Sequence, residues 1–330
     1  MERIRASVAA GLAAAGAGCT PLTLSVGLGP TPRVITEVLV TDEPGKEKIA
    51  LIDVRGMISD MREPGLAGPG ANALDVFVSQ LGRAEQDPLV RGVVIRINSP
   101  GGTVTASDIA YLEVRRFAER TGKPVVVSLG DVAASGGYYL ALAGDEIIAQ
   151  PTSLTGSIGV VIPLMNFSEG LGRLGIVSTA ITSGPNKDMG NPFEAREAAH
   201  EALYQGLVDE FYSRFRGLVE SRRGGIPPGS LEAATDGRIM TGARALEWGL
   251  VDSLGGIAEA VVSVKRRAGL THADVVKYSG SVGRTRSAYA EGWSTPVEAP
   301  ASPAVEVNVL NLGRGPGSMP NAYYLWTGPG

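Results

Sequence analysis

The sequence predicts an α/β fold built on a largely parallel sheet. Short apolar runs alternate with stretches of helical spacing, and the connections between them are brief. The 45 glycines and 21 prolines supply many turns. With 19% charged and 44% hydrophobic residues the chain is globular, and its 330 residues suffice for a sizeable core in one or two domains.

The elements follow in order. The folded region is expected to begin near Lys48, with 49–54 a buried strand and 60–71 a loop. Residues 73–85 have helical spacing through Leu74, Val76, Phe77 and Leu81. A second strand at 90–97 leads into the turn 98–102. A helix over 107–120 turns Ile109, Leu112 and Phe117 inward. The strand 124–129 precedes a short helix that opens at Ser135, and 146–149 is another short strand. Residues 154–161 read as a glycine-broken turn and strand, followed by a helix near 167–174 and a strand at 176–182. The longest helix spans 193–222, where Leu203, Leu207, Phe211, Phe215 and Leu218 form a stripe suited to core or subunit interface. A short helix at 241–246, a strand at 251–252, a helix at 257–267 and a strand at 273–278 complete the pattern. After Ser281 it dissolves into a proline-punctuated tail in which only 305–310 alternates like a strand. No internal repeat is visible.

Composition excludes several function classes. The net charge of −4 does not suit a nucleic-acid binder. A single cysteine, Cys19, excludes an internal disulfide framework and a cysteine metal cluster. There is no His-Glu metal motif, and the glycine pair 101–102 lacks the lysine and spacing of a phosphate loop. No cofactor is implied. At the N-terminus, Arg3 and Arg5 precede an uncharged stretch from Ala6 to Leu28. Residues 16–19, Gly-Ala-Gly-Cys, resemble a bacterial lipoprotein cleavage site, although Gly16 stands where leucine is usual; an uncleaved anchor is the rival reading.

The stretch Ala134-Ser135-Gly136-Gly137-Tyr138-Tyr139 is the most informative. An apolar strand, a turn at a glycine pair and a helix start would present the Ser135 hydroxyl beside free backbone N–H groups, as a nucleophile requires. An ordinary helix cap would look the same. The usual activating base is histidine, but His200 lies in a charged helical segment and His272 in a loop, and both read as solvated surface residues. If Ser135 is a nucleophile, a lysine suits the base better than either histidine, and it must be desolvated or set near other cations to be neutral near pH 7. Six lysines exist, at 46, 48, 123, 187, 265 and 277. Lys187 differs in lying in a glycine- and proline-rich loop after an apolar run, although spacing alone does not select it and Asp188 beside it would raise its pKa. The turn Asn98-Ser99-Pro100-Gly101-Gly102-Thr103 also joins a strand to a helix, and with the Gly136 amide it would make an oxyanion hole. In isolation it is equally an ordinary turn.

Together these residues resemble the bacterial signal-peptide peptidases of the protease IV type, membrane-associated serine-lysine proteases. The resemblance covers roughly residues 48–267. It is carried by Asn98-Ser99-Pro100-Gly101-Gly102, Ala133-Ala134-Ser135-Gly136-Gly137-Tyr138, Leu154-Thr155-Gly156-Ser157-Ile158-Gly159 and Ser183-Gly184-Pro185-Asn186-Lys187-Asp188. It implies Ser135 as nucleophile, Lys187 as general base, Ser157 as the hydroxyl that orients the lysine amine, and Gly102 and Gly136 as oxyanion donors. It further implies a Clp-protease/crotonase-like fold of strand-strand-helix units. A homo-oligomeric ring is expected, with each protomer holding a complete dyad. The implied substrates are signal-peptide remnants or other membrane-associated peptides, with no nucleic-acid partner, and the catalytic region stands outside the cytoplasm at a membrane surface. The chain then divides into a signal or anchor segment (1–28), a linker (29–47), a peptidase domain (48–280) and a proline- and glycine-rich tail (281–330). Two alternatives share the fold: a crotonase-like acyl-transfer or isomerase enzyme, which would not need the Ser135–Lys187 pair, and a catalytically inactive membrane scaffold, which would not retain it.

Overall fold

The computed structural model describes residues 36–65, 68–279, 288–289 and 323–325. Its strands and helices run β1 (Thr36–Leu39), β2 (Lys48–Arg55), β3 (Arg62–Gly65), β4 (Gly68–Asn72), α1 (Ala73–Gln86), β5 (Val90–Ser99), β6 (Gly101–Thr103), α2 (Val104–Thr121), β7 (Val125–Ala134) and α3 (Gly136–Ala141). There follow β8 (Glu146–Ala149), β9 (Leu154–Gly156), α4 (Ser168–Arg173), α5 (Ala198–Arg222), α6 (Leu231–Ala234) and β10 (Ile239–Thr241). The last are α7 (Gly242–Glu247), β11 (Ser253–Leu254), α8 (Ile257–Ala268), β12 (Asp274–Ser279) and β13 (Tyr323–Leu325).

The main sheet has the order β1-β12-β2-β5-β7-β8-β11. Every neighbour pair from β12 to β11 is parallel, and β1 is an antiparallel edge. Beyond the end of β8, the last residues of β7 pair with β9 instead, and β9 pairs antiparallel with β10. Alternation along β2 explains the two cores. Ala50, Ile52 and Val54 face a layer of α1, α2, α3 and α5 through Phe77, Leu81, Val114, Phe117, Tyr138 and Phe215. Ile49 and Leu51 face α8 through Ile257, Ala260 and Val264. A parallel sheet covered on both faces needs such continuous apolar strands, which is why the runs 49–54, 90–97 and 124–129 are so legible.

The helices start and stop where local chemistry dictates. Asn72 Oδ1 accepts from the amides of Leu74 and Asp75 to open α1, and Thr103 Oγ1 accepts from Ala106 N to open α2. Lys265, Arg266 and Arg267 stand in the last turn of α8, where the helix dipole favours cations.

Several expectations need correction. The sheet already includes β1, within the segment read as a linker, because Thr36–Leu39 finds the open edge of β12. The loop 60–71 contains the hairpin β3–β4, whose proline and glycine content hides the pairing. The strand expected at 176–182 does not form and pairs with no strand among the described residues, with Val177 85% and Ile181 102% exposed. The long helix begins at Ala198 rather than 193, and the strand expected at 251–252 is the shifted β11. No expectation covered β10, whose pairing is nonlocal. The strand-like stretch 305–310 and the segment 1–28 lie outside the described residues. Among those described, no helix is long and apolar enough to cross a membrane.

Candidate active site

The end of β7 delivers Ser135 to the N-terminus of α3. Its backbone has φ 53 and ψ −117, and its amide donates to Gly156 O at 2.8 Å. Only two non-glycine residues among those described have positive φ, and they are Ser135 and Ser157, at 53 and 50. Such conformations cost about 1–3 kcal/mol each and persist only where the surroundings enforce them. Here the enforcement is visible. Ala134 pairs with Gly156 across β7 and β9, so the two serines follow each other's strands side by side. Thr155 Oγ1 donates to Ala133 O at 2.7 Å, and Ser157 N donates to Arg238 O at 2.7 Å.

The Ser135 side chain is buried, and its Oγ has no hydrogen-bond partner among the described residues. A buried hydroxyl normally finds a partner, since leaving one unsatisfied costs on the order of 1–3 kcal/mol. A structural cap would bond to its helix, and this serine does not.

The second turn is brought against the first. Asn98 Oδ1 accepts from Val132 N at 3.1 Å, and Gly101 N donates to Ser99 Oγ at 3.1 Å. A Cβ on Gly137 would stand 2.9 Å from Ser99 O, and one on Gly102 would stand 1.8 Å from Ile58 O. Glycine at these positions is what lets the β6 turn, the α3 start and the 56–58 segment close on one another. Gly102 and Gly136 are both buried there. Sequence reading missed Ile58, which pairs with Gly102 and bonds both Gly101 O and Thr103 N. No local signal marks it, because the contact crosses from β2 to β6.

Lys187 is not brought to this cluster. It lies in a turn of the irregular arm 161–197, exposed, with no side-chain hydrogen bond or ion pair among the described residues. The expected orientation of its amine by Ser157 is therefore not seen in the single chain. His200 is half-buried rather than freely solvated, and its Nε2 sits 2.8 Å from Pro185 O, tying the Lys187 turn to α5. His272 is exposed beside Glu43. The cleft beside Lys187 is lined by Asp188, Glu194, Glu197, His200 and Glu201, with neither serine in its walls.

The pattern of peptidase family S49 matches residues 118–271, a span holding Ser135, Ser157 and Lys187 but not the 98–103 turn. "Putative signal peptide peptidase SppA" of Enterococcus faecium is 32% identical over 259 residues, covering 78% of this chain and 74% of that protein. "Serine protease SPPA, chloroplastic" of Arabidopsis thaliana is 33% identical over 228 residues, 68% of this chain and 33% of its own. "Protease 4" of Salmonella typhi is 36% identical over 222 residues, 67% and 35% respectively. The chain spans about a third of the length of these last two proteins. It belongs to peptidase family S49 and is a serine protease.

Proposed function

We propose that this protein hydrolyses peptide bonds with Ser135 as nucleophile and Lys187 as general base, and that its substrates are signal peptides or other membrane-associated peptides. The observation that carries the reading is the buried, unpartnered Ser135 Oγ, held at positive φ where β7 meets α3. In this reading the Lys187 arm is carried to Ser135 in the assembled enzyme, which the single chain does not show, and there the neutral amine takes the proton as Oγ attacks the scissile carbonyl. The resulting oxyanion is met by the amides of Gly102 and Gly136, each worth a few kcal/mol in such a hole. Collapse expels the amine, which takes a proton from Lys187, and water then cleaves the acyl-enzyme by the same route in reverse. Ser157, beside Ser135 on the adjacent strand, orients the lysine amine.

The substrate class is drawn from the name of the Enterococcus faecium relative. The fold is of the Clp-protease/crotonase-like type, and the protein acts as a homo-oligomer at a membrane surface, outside the cytoplasm, attached through residues 1–28. Met165, Leu174, Ile176, Val177 and Ile181, all exposed on the Lys187 arm, support the oligomer, since so many large apolar side chains left open on one segment suit a covering surface. A covering subunit would also desolvate Lys187, as a base requires.

Cleavage of an internally quenched apolar peptide tests the reading. Ser135→Ala and Lys187→Ala should each lower kcat by at least about 1,000-fold, as loss of a nucleophile or base does. The thermal midpoint should hold, because the Ser135 hydroxyl makes no bond to lose. Ser157→Ala should slow turnover without abolishing it. Retained turnover in Lys187→Ala with loss in His200→Ala would reassign the base.

A further inference from the structure

Helix α3 directly follows Ser135 and is only six residues long, so its place is set by what its side chains reach. Two neighbouring tyrosines anchor it to different elements. Tyr138 Oη donates to Leu250 O at 2.7 Å, beyond α7. Tyr139 Oη donates to Asp108 Oδ1, in the second turn of α2, at 2.6 Å. The Tyr139 ring is buried between Tyr111 of α2, edge-on with centroids 5.7 Å apart, and Phe215 of α5, at 5.0 Å.

Asp108 also meets Arg214 of α5. Arg214 Nη2 donates to the two carboxylate oxygens at 2.8 and 2.9 Å, and Nε to Oδ1 at 3.2 Å. The two partners of Asp108 differ in setting. The Arg214 side chain is 55% exposed, where an ion pair adds little, whereas Tyr139 is buried and its bond to the carboxylate is short and charge-assisted.

The strut joins two catalytic turns. Thr103, which caps α2, immediately follows Gly102, and α3 begins at Gly136 with Tyr139 N donating to Ser135 O at 2.8 Å. The Asp108–Tyr139 bond therefore ties the helix that follows one glycine to the helix that follows the other. A serine held at positive φ, as Ser135 is, persists only where its surroundings over-determine it.

We infer that Asp108 and Tyr139 are positioning residues: their hydrogen bond fixes the start of α3 against the start of α2, and so sets the Ser135 hydroxyl and the Gly136 amide relative to the Gly102 amide. The inference rests on the proposed function, in which these two amides receive the oxyanion. Such donors act only where they meet the developing charge, and a misplacement of about 1 Å can cost roughly 100-fold. Loss of the strut should therefore slow the chemical step and leave peptide binding alone.

The test compares four variants of the full chain by cleavage of the quenched peptide, by the rate at which a fluorophosphonate labels Ser135, and by thermal midpoint. Tyr139→Phe keeps the ring packing and removes the strut. Its kcat should fall about 10- to 100-fold with KM within about twofold of the parent. Labelling should slow by the same factor, because the tetrahedral adduct presents an oxygen to the same donors. Asp108→Ala should match it. Asp108→Asn keeps an acceptor for the tyrosine while losing the charge facing Arg214, so its midpoint should drop but its kcat should stay within about threefold of the parent. Arg214→Gln should behave like Asp108→Asn. A network that only stabilises the fold would give kcat and labelling rates that follow the midpoint across all four variants. That result, or a Tyr139→Phe enzyme with parental kcat, would overturn the inference while leaving the catalytic reading in place. A parent protein that neither cleaves peptide nor labels at Ser135 would remove the catalytic reading and this inference with it.

Discussion

Ser135 and Lys187 are held by opposite kinds of structure. Ser135 stands at the end of a central strand, buried, with its backbone forced to positive φ by the pairing of β7 and β9. Lys187 stands in a turn of the arm 161–197, exposed, and the arm reaches α5 through His200 to Pro185 O and Tyr204 Oη to Met189 O at 2.9 Å, while the Phe167–Phe193 ring pair lies within the arm itself. The geometry of the proposed nucleophile is thus fixed by the core of one chain. The surroundings of the proposed base depend on surfaces that one chain leaves uncovered.

The largest difference should appear when a methyl group is added to each region. Gly102→Ala drives a Cβ to within 1.8 Å of Ile58 O, so β6 must move. We expect kcat/KM to fall by about 100-fold or more, the usual loss for one oxyanion donor, together with a lower thermal midpoint. Gly184→Ala, three residues before Lys187, meets open space. Stability there should stay within about 0.5 kcal/mol of the parent. Equal sensitivity of the two sites by melting and by peptide turnover would erase the distinction between core and arm.

An intermediate effect is expected from charge on the arm. Val177→Glu and Ile181→Glu alter side chains that touch little within the chain. Their melting should be unchanged, while assembly measured by light scattering weakens by about 2 kcal/mol, roughly 30-fold, as at a central interface residue. Turnover should fall with it. A parent protein that is monomeric and fully active at micromolar concentration would show that the arm needs no covering.

The smallest effect is a pH dependence confined to the core. Burial acts to raise the Glu146 pKa, but hydrogen bonds from Ser263 at 2.6 Å and Arg267 at 2.8 Å outweigh it and hold it below its ordinary 4.5. A carboxylate lowered in the folded state adds stability above its unfolded pKa and loses it as pH falls through the folded value. The thermal midpoint should therefore decline as pH drops below about 4.5, and Glu146→Gln should flatten that decline. An unaltered acid profile in the variant would place the sensitivity elsewhere.

The same contrast explains what the sequence made legible. The core declares itself because strands buried on both faces must be continuously apolar, and α2 and α8 carry the spacing of helices that cover them. Ser135 was legible for the same reason, since a strand, a glycine pair and a helix start are all local. Lys187 was chosen from its motif rather than its surroundings, and those surroundings differ from the expectation. Apolar Ile176, Val177 and Ile181 read as part of a strand, yet they join no strand pairing among the described residues. Apolar composition records that a surface is to be covered, not by which chain. Ile58 and β13 went unseen because both meet the site only through long-range pairing.

The central claim is that Ser135 is the nucleophile, activated by Lys187. Labelling with a fluorophosphonate, located by mass spectrometry of the digested full-length protein, tests it most directly. Modification of Ser135 alone is predicted in the parent, none in Ser135→Ala, and sharply slowed labelling in Lys187→Ala. Labelling of another residue, or unlabelled parent protein beside a Ser135→Ala variant that still cleaves peptide, would contradict the account.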